Sequence, residues 1–331
     1  MSDKRNLGVV VIGRNEGERL KACINSVTIA SDFVIYVDSG STDGSAGWAG
    51  RQPKVTLIDL DMSQPFTAAR ARNAGLRHLI ELAPDIKHVQ FVDGDCEVVS
   101  GWLQPARGFL EAHPNIAVVC GRRRERYPDF SIYNQICDIE WDTPIGQAKY
   151  CGGDALFRVE VLTEAKGYRS DLIAGEEPEL CVRIRALGWE VWRIDQEMTL
   201  HDAHIERFSE WFKRAKRCGY AYASGFSIHG LSAERFRLKE VIRILFWGGA
   251  FPVVVVLLAL FSPIWLVLLL AYPAQVLRLS LTQKRRKIGS LSTCCKWACL
   301  TVLGKFPELL GILRFLFDVL RRKPGTIIEY K

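Results

Sequence analysis

The chain has 331 residues, of which 24% are charged and 48% hydrophobic, so it can bury a large core and is not a disordered polymer. Its net charge of +7 is concentrated at the back: from Val241 onward 13 Lys+Arg face 3 Asp+Glu, and because this basic part is also the most apolar, it suits an anionic membrane surface and disfavours nucleic acid. Ten scattered cysteines without a Cys-X-X-Cys pair, in a chain that shows no signal peptide, read as reduced cytosolic thiols.

Leu7 to Ile12 is an uninterrupted apolar run, as expected of a central parallel strand buried on both faces. Gly13-Arg14-Asn15-Glu16 turns into a helix carrying Leu20, Cys23, Ile24 and Val27 at helical spacing. Phe33 to Val37 is the next strand, followed by Asp38-Ser-Gly-Ser-Thr-Asp43-Gly-Ser45. In that loop the small residues allow close backbone approach, Thr42 or Asp43 can cap a helix, and Asp38 can accept hydrogen bonds from a base or ribose. An ordinary loop explains the same residues. Val55 to Leu60 is a third strand, and Phe66 to Leu82 a helix whose Arg70 and Arg72 could reach a diphosphate if their face points at a crevice.

His88 to Val92 reads as the end of a buried strand that delivers Asp93-Gly94-Asp95. In open α/β sheets the carboxyl ends of the strands border the binding crevice. Two carboxylates across a glycine there place hard oxygen ligands where a divalent cation held by substrate phosphates would sit. A solvated turn is the plain alternative. Trp102 to Ala112 as helix and Ile116 to Cys120 as strand complete an alternation that indicates a doubly wound, mostly parallel α/β sheet.

Arg122-Arg-Arg-Glu-Arg126 is then either a solvated loop or an anion site, the aromatic residues after it favouring the latter. Gly152-Gly153-Asp154 lets backbone press close to a ligand, or simply makes a tight turn. Gly175-Glu176-Glu177-Pro178 opens a helix; its acids suit the positive end of the helix dipole, and one of them could instead sit in the crevice as a general base. Trp189 to Ile194 is another strand. His201-Asp-Ala-His204 places two histidines three apart, able to share a helical face and bind metal or merely to pack. Glu206 to Tyr222 is amphipathic, with Phe208, Trp211, Phe212 and Ala215 opposite Lys213, Arg214, Lys216 and Arg217, which fits a bilayer surface or core packing.

No formally charged residue occurs between Arg243 and Arg278, and Ser262-Pro263 lies near the middle of that stretch. A hairpin of two short spans, Ile244 to Phe261 and Ile264 to Leu279, is expected, with a re-entrant pair as the alternative. Lys284-Arg-Arg-Lys287 marks the cytoplasmic side and, with two spans, puts the N-terminal domain there too. Leu291 to Leu320, interrupted by Lys296, Lys305, Glu308, Arg314 and Asp318, reads as interfacial helix, and Arg321-Arg-Lys323 repeats the basic signature.

Six stretches, Val9-Val-Val-Ile-Gly-Arg-Asn-Glu16, Asp38-Ser-Gly-Ser-Thr-Asp-Gly-Ser45, Ala71-Arg-Asn-Ala-Gly75, Asp93-Gly-Asp95, Gly152-Gly-Asp154 and Gly175-Glu-Glu177, resemble glycosyltransferase family 2 in order and spacing, over about residues 5–200. The resemblance implies the glycosyltransferase A fold, a nucleotide-diphosphate sugar as donor, Mg²⁺ or Mn²⁺, and inversion at the anomeric carbon. It implies that Asp38 binds the base, that Asp43 supports that loop, that Arg72 lies near the donor and that Asp93 faces the ribose. Asp95 would bind the metal, with His201 or His204 as further candidate ligands, and Gly152, Gly153 and Asp154 would line the donor sugar or acceptor. Glu176 and Glu177 stand where the family has a Glu-Asp pair, so either is a candidate base. The Gln-X-X-Arg-Trp of processive synthases is missing from Phe208 to Tyr222, so a single transfer is expected.

The organisation expected is a catalytic domain over 1–240, a membrane hairpin over 241–280 and a basic interfacial region over 281–331. Its acceptor would be lipid-linked or otherwise membrane-borne, at the cytoplasmic face of the inner membrane, in polysaccharide or glycolipid assembly. The alternative is a non-catalytic nucleotide-sugar-binding scaffold at the membrane.

Overall fold

The computed structural model describes residues 6–29, 31, 33–286 and 289–322. The chain divides into two compact units, one reaching to Pro128 and taking in Glu140–Ala203, the other formed by Asp129–Ile139 and the residues from His204 onward.

The first unit is built on strands β1 (Leu7–Gly13), β2 (Phe33–Asp38), β3 (Val55–Asp59), β4 (His88–Asp93), β5 (Cys96–Val98), β6 (Ile116–Glu125), β7 (Gly146–Gln147), β8 (Ala155–Arg158) and β9 (Glu190–His201). They pair in the order β3-β2-β1-β4-β8-β6-β9-β5, with β7 beside β9. Between them run helices α1 (Glu18–Thr28), α2 (Ser45–Ala49), α3 (Ala68–Leu82), α4 (Leu103–Ala112), α6 (Val159–Glu164) and α7 (Glu176–Ala186), whereas α5 (Ile132–Trp141) falls mostly in the second unit. Val9, Val10 and Val11 of β1 are fully buried, as a strand covered on both faces requires. Gly75 lets α3 lie close on the sheet, since a Cβ there would run into Val10 and come within 3.0 Å of Val37.

The β3-β2-β1-β4 half is parallel, and beyond it the sheet is mixed. β8 runs antiparallel to both β4 and β6, whereas β9 is parallel to β6. This alternation brings the carboxyl ends of β2, β4, β6 and β9 and the start of β8 to one edge. The run from Arg122 to Glu125 is therefore not a loop: it continues β6 through register shifts around Arg122. β9 likewise extends past Ile194 to His201, so His201 and His204 do not share a helical face.

In the second unit, α8 (Phe208–His229) buries Trp211, Ala215, Tyr220 and Ala223. It crosses a later helix, α13 (Lys305–Leu320), where a Cβ on Gly219 would collide with the Glu308 carbonyl and one on Gly311 with the Lys216 carbonyl. Of the apolar stripe, Trp211 and Ala215 are buried in the packing, whereas Phe208 stays exposed. Before α13 come α9 (Leu238–Ile244), a π-helical segment Leu245–Ala250, α10 (Phe251–Ala259), a 3₁₀ segment Pro263–Leu270, α11 (Ala271–Arg285) and α12 (Leu291–Leu303). The continuous stretches Leu238–Ala259 and Pro263–Arg285 are long and apolar enough to cross a membrane, and most of their surface is not buried by other helices. Lys287 and Lys323 of the two basic clusters lie outside the described residues.

Candidate active site

Two loops at the carboxyl edge are stitched together first. The Asp38 carboxylate, buried at the end of β2, accepts from the Tyr36 hydroxyl at 2.9 Å, the Ser41 hydroxyl at 2.5 Å and the Gly40 and Ser41 amides at 2.9 and 2.7 Å. The loop's curvature is thereby fixed around its own acid. Asn15, with a left-handed φ of 57°, receives the Thr42 amide at 2.7 Å and donates its own amide to the Ser41 hydroxyl at 2.9 Å. Asp43 accepts from the Ser45 amide at 2.9 Å and from the Gly17 amide at 3.1 Å. Desolvation works to raise its carboxyl, but hydrogen bonds from the Ser45 amide and hydroxyl and the Gly17 amide outweigh it and hold the pKa below the ordinary range.

Arg72 organises the next layer. It points from α3 into the edge, almost fully buried, and its guanidinium reaches Asp93 at 2.7 Å, Glu176 at 2.8 Å and Glu177 at 3.1 Å. Burial disfavours its charge, yet the carboxylates of Glu177, Asp93 and Glu176 more than compensate and keep it cationic. Its neighbour Asn73 donates to the Tyr168 carbonyl at 2.7 Å and accepts from the Tyr168 amide at 2.9 Å, so the Tyr168 ring lies 5.6 Å from the Arg72 guanidinium. Ala71-Arg-Asn-Ala-Gly75 is in this way a unit: Arg72 serves the acids, Asn73 the Tyr168 loop, and Gly75 the sheet.

Asp154 is fully buried at the start of β8. It accepts from the Asp93 amide at 3.0 Å, from Arg123 at 2.6 and 2.9 Å, and from the Thr199 hydroxyl at 2.9 Å. Burial alone would raise its pKa, and Arg123 overrides that and holds the carboxyl low. Arg123 and Thr199 are register partners on β6 and β9, which is why both meet the same carboxylate. The remaining arginines also pair with acids, Arg124 with Glu197 at 2.6 Å and Arg126 with Glu97 at 2.5 Å. Gly153 is buried against these groups: a Cβ would stand 2.6 Å from Asp93 Oδ2 and 2.7 Å from Arg72 Nη2. Its missing side chain therefore makes room for the ion pair, while Gly152 is exposed.

Asp95 lies in the turn between β4 and β5, and the Cys96–His201 pairing of β5 with β9 carries His201 to it, with His201 Nε2 3.1 Å from Asp95 Oδ2. The other imidazole nitrogen is buried without a hydrogen-bond partner, and the ring sits 4.8 Å from that of Trp141. Ligand atoms of Asp95, Cys96 and His201 lie within 4.8 Å of one another. A carboxylate with an imidazole suits Mn²⁺ and tolerates Mg²⁺, whereas a thiol is a poor ligand for either. His204 belongs to the other unit, is exposed and faces Glu206 at 3.6 Å.

Glu176 and Glu177 open α7 after Gly175, whose φ of 83° sets the turn. Glu176 is buried and Glu177 half-buried. Burial, followed by the charge of Glu176, pushes the Glu177 carboxyl up to about 7 despite Arg72 beside it. Among the candidates this is a carboxylate poised to exchange a proton near neutral pH. A cavity of about 360 Å³ lined by Asp59, Asp61, Arg70, Asn73 and Arg77 lies along the same edge. One of about 540 Å³ by Leu7, at the opposite end of β1, lies away from this chemistry.

The family model described as Glycosyl transferase family 2 matches residues 8–163, the stretch that supplies the two stitched loops, Arg72, Asp93, Asp95 and Asp154. The chain carries a family 2 glycosyltransferase domain. No curated protein sequence matches it. Among solved structures, a mannosyltransferase from Pyrobaculum calidifontis is similar over 95% of this chain and 87% of its own, with 18% identity and a TM-score of 0.60. Residues 1–349 of TarS from S. aureus are similar over 96% of this chain and 91% of theirs, with 13% identity and a TM-score of 0.50. At these identities the likeness is one of fold, and the fold is the glycosyltransferase A type.

The edge assembles Arg72, Asp93, Asp154, Glu176 and Glu177 in one network and sets Asp95 with His201 beside it. Arg123, Thr199, Tyr168 and Trp141 belong to the same assembly but carry no distinctive mark in sequence. For Arg123 the one available signal was the arginine run directly after a strand.

Proposed function

We propose that this glycosyltransferase moves one sugar from a nucleotide-diphosphate sugar to a membrane-borne, lipid-linked acceptor at the cytoplasmic face of the inner membrane, with inversion, in polysaccharide or glycolipid assembly. The observation that carries the reading is Glu177: half-buried, beside Glu176, with its carboxyl pushed up to about 7. Ionised, it takes the proton of an acceptor hydroxyl as that oxygen attacks the anomeric carbon, while the nucleoside diphosphate departs from the opposite face. One bond forms and one breaks with no covalent enzyme intermediate, so the configuration inverts. Glu176 holds Arg72 in place, and Arg72 in turn holds Asp93 at the edge facing the donor ribose. The loop built on Asp38 and Asp43 shapes the seat of the base.

Asp95 and His201 would hold Mg²⁺ or Mn²⁺, which when bound neutralises charge developing on the departing diphosphate. The Pyrobaculum mannosyltransferase was solved with GDP-Man and Mn²⁺, consistent with these donor and metal classes. We assign residues 1–240 to catalysis with its flanking helix, 241–280 to a membrane hairpin and 281–331 to a basic interfacial region. Two helices long and apolar enough to cross a membrane support the attachment.

The test is release of nucleoside diphosphate by the detergent-solubilised full chain, over a panel of nucleotide sugars with Mn²⁺ or Mg²⁺, with and without membrane lipid extract. Release that needs one donor, the metal and the lipid is the expected result. Nucleotide binding without release from any donor would instead favour a non-catalytic scaffold.

A further inference from the structure

The second unit contains a cavity of about 300 Å³ whose lining includes Arg243, Arg278, Lys305, Trp247 and Gln275. Arg243 and Arg278 are the two charged residues that bound the long uncharged stretch, one at each foot of the hairpin. Because the hairpin returns on itself, residues far apart in sequence come to one cavity. Lys305 joins them at the start of α13, where Gly248 in the π-helical segment lets the backbones meet: a Cβ there would strike the Lys305 carbonyl. Tyr272 donates to the Trp247 carbonyl at 2.7 Å and ties α11 to the same segment.

The charges do not cancel. Lys305 pairs with Glu308 at 2.5 Å, but among the described residues neither arginine has an acidic partner. Leu245, Phe246, Leu277 and Leu281, close in sequence to the two arginines, are exposed. Cations closing an apolar hairpin lie at headgroup depth when the hairpin enters a bilayer, and the anion found at that depth is lipid phosphate.

We infer that this cavity binds the phosphate of a membrane lipid, whose chains lie along the exposed apolar faces of the hairpin. Arg243 and Arg278 supply the charge-assisted hydrogen bonds, and Gln275 offers a neutral donor. A free phosphate ion would meet the same cations but leave those apolar faces uncovered. The site is independent of the transfer reaction and is read without any sugar donor.

The experiment uses the full chain in uncharged detergent and counts retained ligand by native mass spectrometry, with phosphatidic acid, diacylglycerol of the same chains, and inorganic phosphate as probes. Expected are one phosphatidic acid per chain at saturation and no retention of diacylglycerol. The pair Arg243→Gln with Arg278→Gln should weaken binding by about tenfold or more, and Arg243→Lys with Arg278→Lys should keep it within about threefold. Unchanged binding by the glutamine pair, equal loss in the lysine pair, non-saturating uptake, or inorganic phosphate binding as tightly as the lipid would each overturn the assignment. Both arginines are exposed, so both variants should melt as the parent does.

Discussion

At the scale of single residues, Glu177 and Gly153 make opposite demands on their surroundings. As the proposed base, Glu177 calls for a site that disfavours its charge, and burial beside Glu176 supplies it. A raised carboxyl is ionised only above its pKa, so turnover should fall as the pH drops below about 7. Glu177→Gln should remove that acidic limb and cost about 10²–10⁴-fold in turnover while donor binding persists. A pH–rate profile with a binding titration checks both, and near-normal turnover in the variant would exclude Glu177 as base. Gly153 instead needs the absence of a side chain, because a Cβ would stand 2.6 Å from Asp93 Oδ2. Gly153→Ala should force Asp93 and Arg72 apart, costing about 1–3 kcal/mol by denaturant unfolding and weakening donor binding with it.

At the scale of elements, the site depends on how β8 enters the sheet. Running antiparallel to β4 and β6, β8 starts where β4 ends, and Asp154 can then accept from the Asp93 amide and from Arg123 together. Asp154→Asn would leave the half-buried Arg123 with Asp93, at a more distant 3.4 Å, as its acidic partner among the described residues. Removing one partner of a buried ion pair costs about 3–5 kcal/mol, so a large fall in unfolding free energy is expected. Stability within about 1 kcal/mol of the parent would show that the pair is not needed to hold β6, β8 and β9 in register. α3 contributes in another way, since Arg72, Asn73 and Gly75 of one turn reach the acids, the Tyr168 loop and the sheet respectively.

At the scale of the whole molecule, the chain combines an α/β sheet unit with a helical unit that carries a largely exposed apolar hairpin. Such surface is stable in water only when covered, and a bilayer covers it. The full chain should therefore sediment with membranes, resist alkaline carbonate and come away only with detergent. Release by high salt alone would reduce the attachment to the basic clusters acting at the surface.

Much of this architecture is local in origin and could be read directly. Leu7–Ile12 is a buried strand because its apolar run leaves no polar face, Asp93 and Asp95 follow a strand end, and the charge-free stretch after Arg243 marks the hairpin. Other features depend on partners far along the chain, and no local pattern records them. Arg72 meets Glu176 across 104 positions, His201 meets Asp95 across 106, and Arg123 meets Asp154 across 31. Only the fold could decide that the arginine run lies in the sheet, that His201 rather than His204 stands beside Asp95, and that Gly153 makes room for a salt bridge. Sequence determined which elements form and where carboxylates leave the strands, because periodicity and turn chemistry act over a few residues. Tertiary structure determined which charges meet, because a buried cation is stable only beside the acids that strand pairing brings to it.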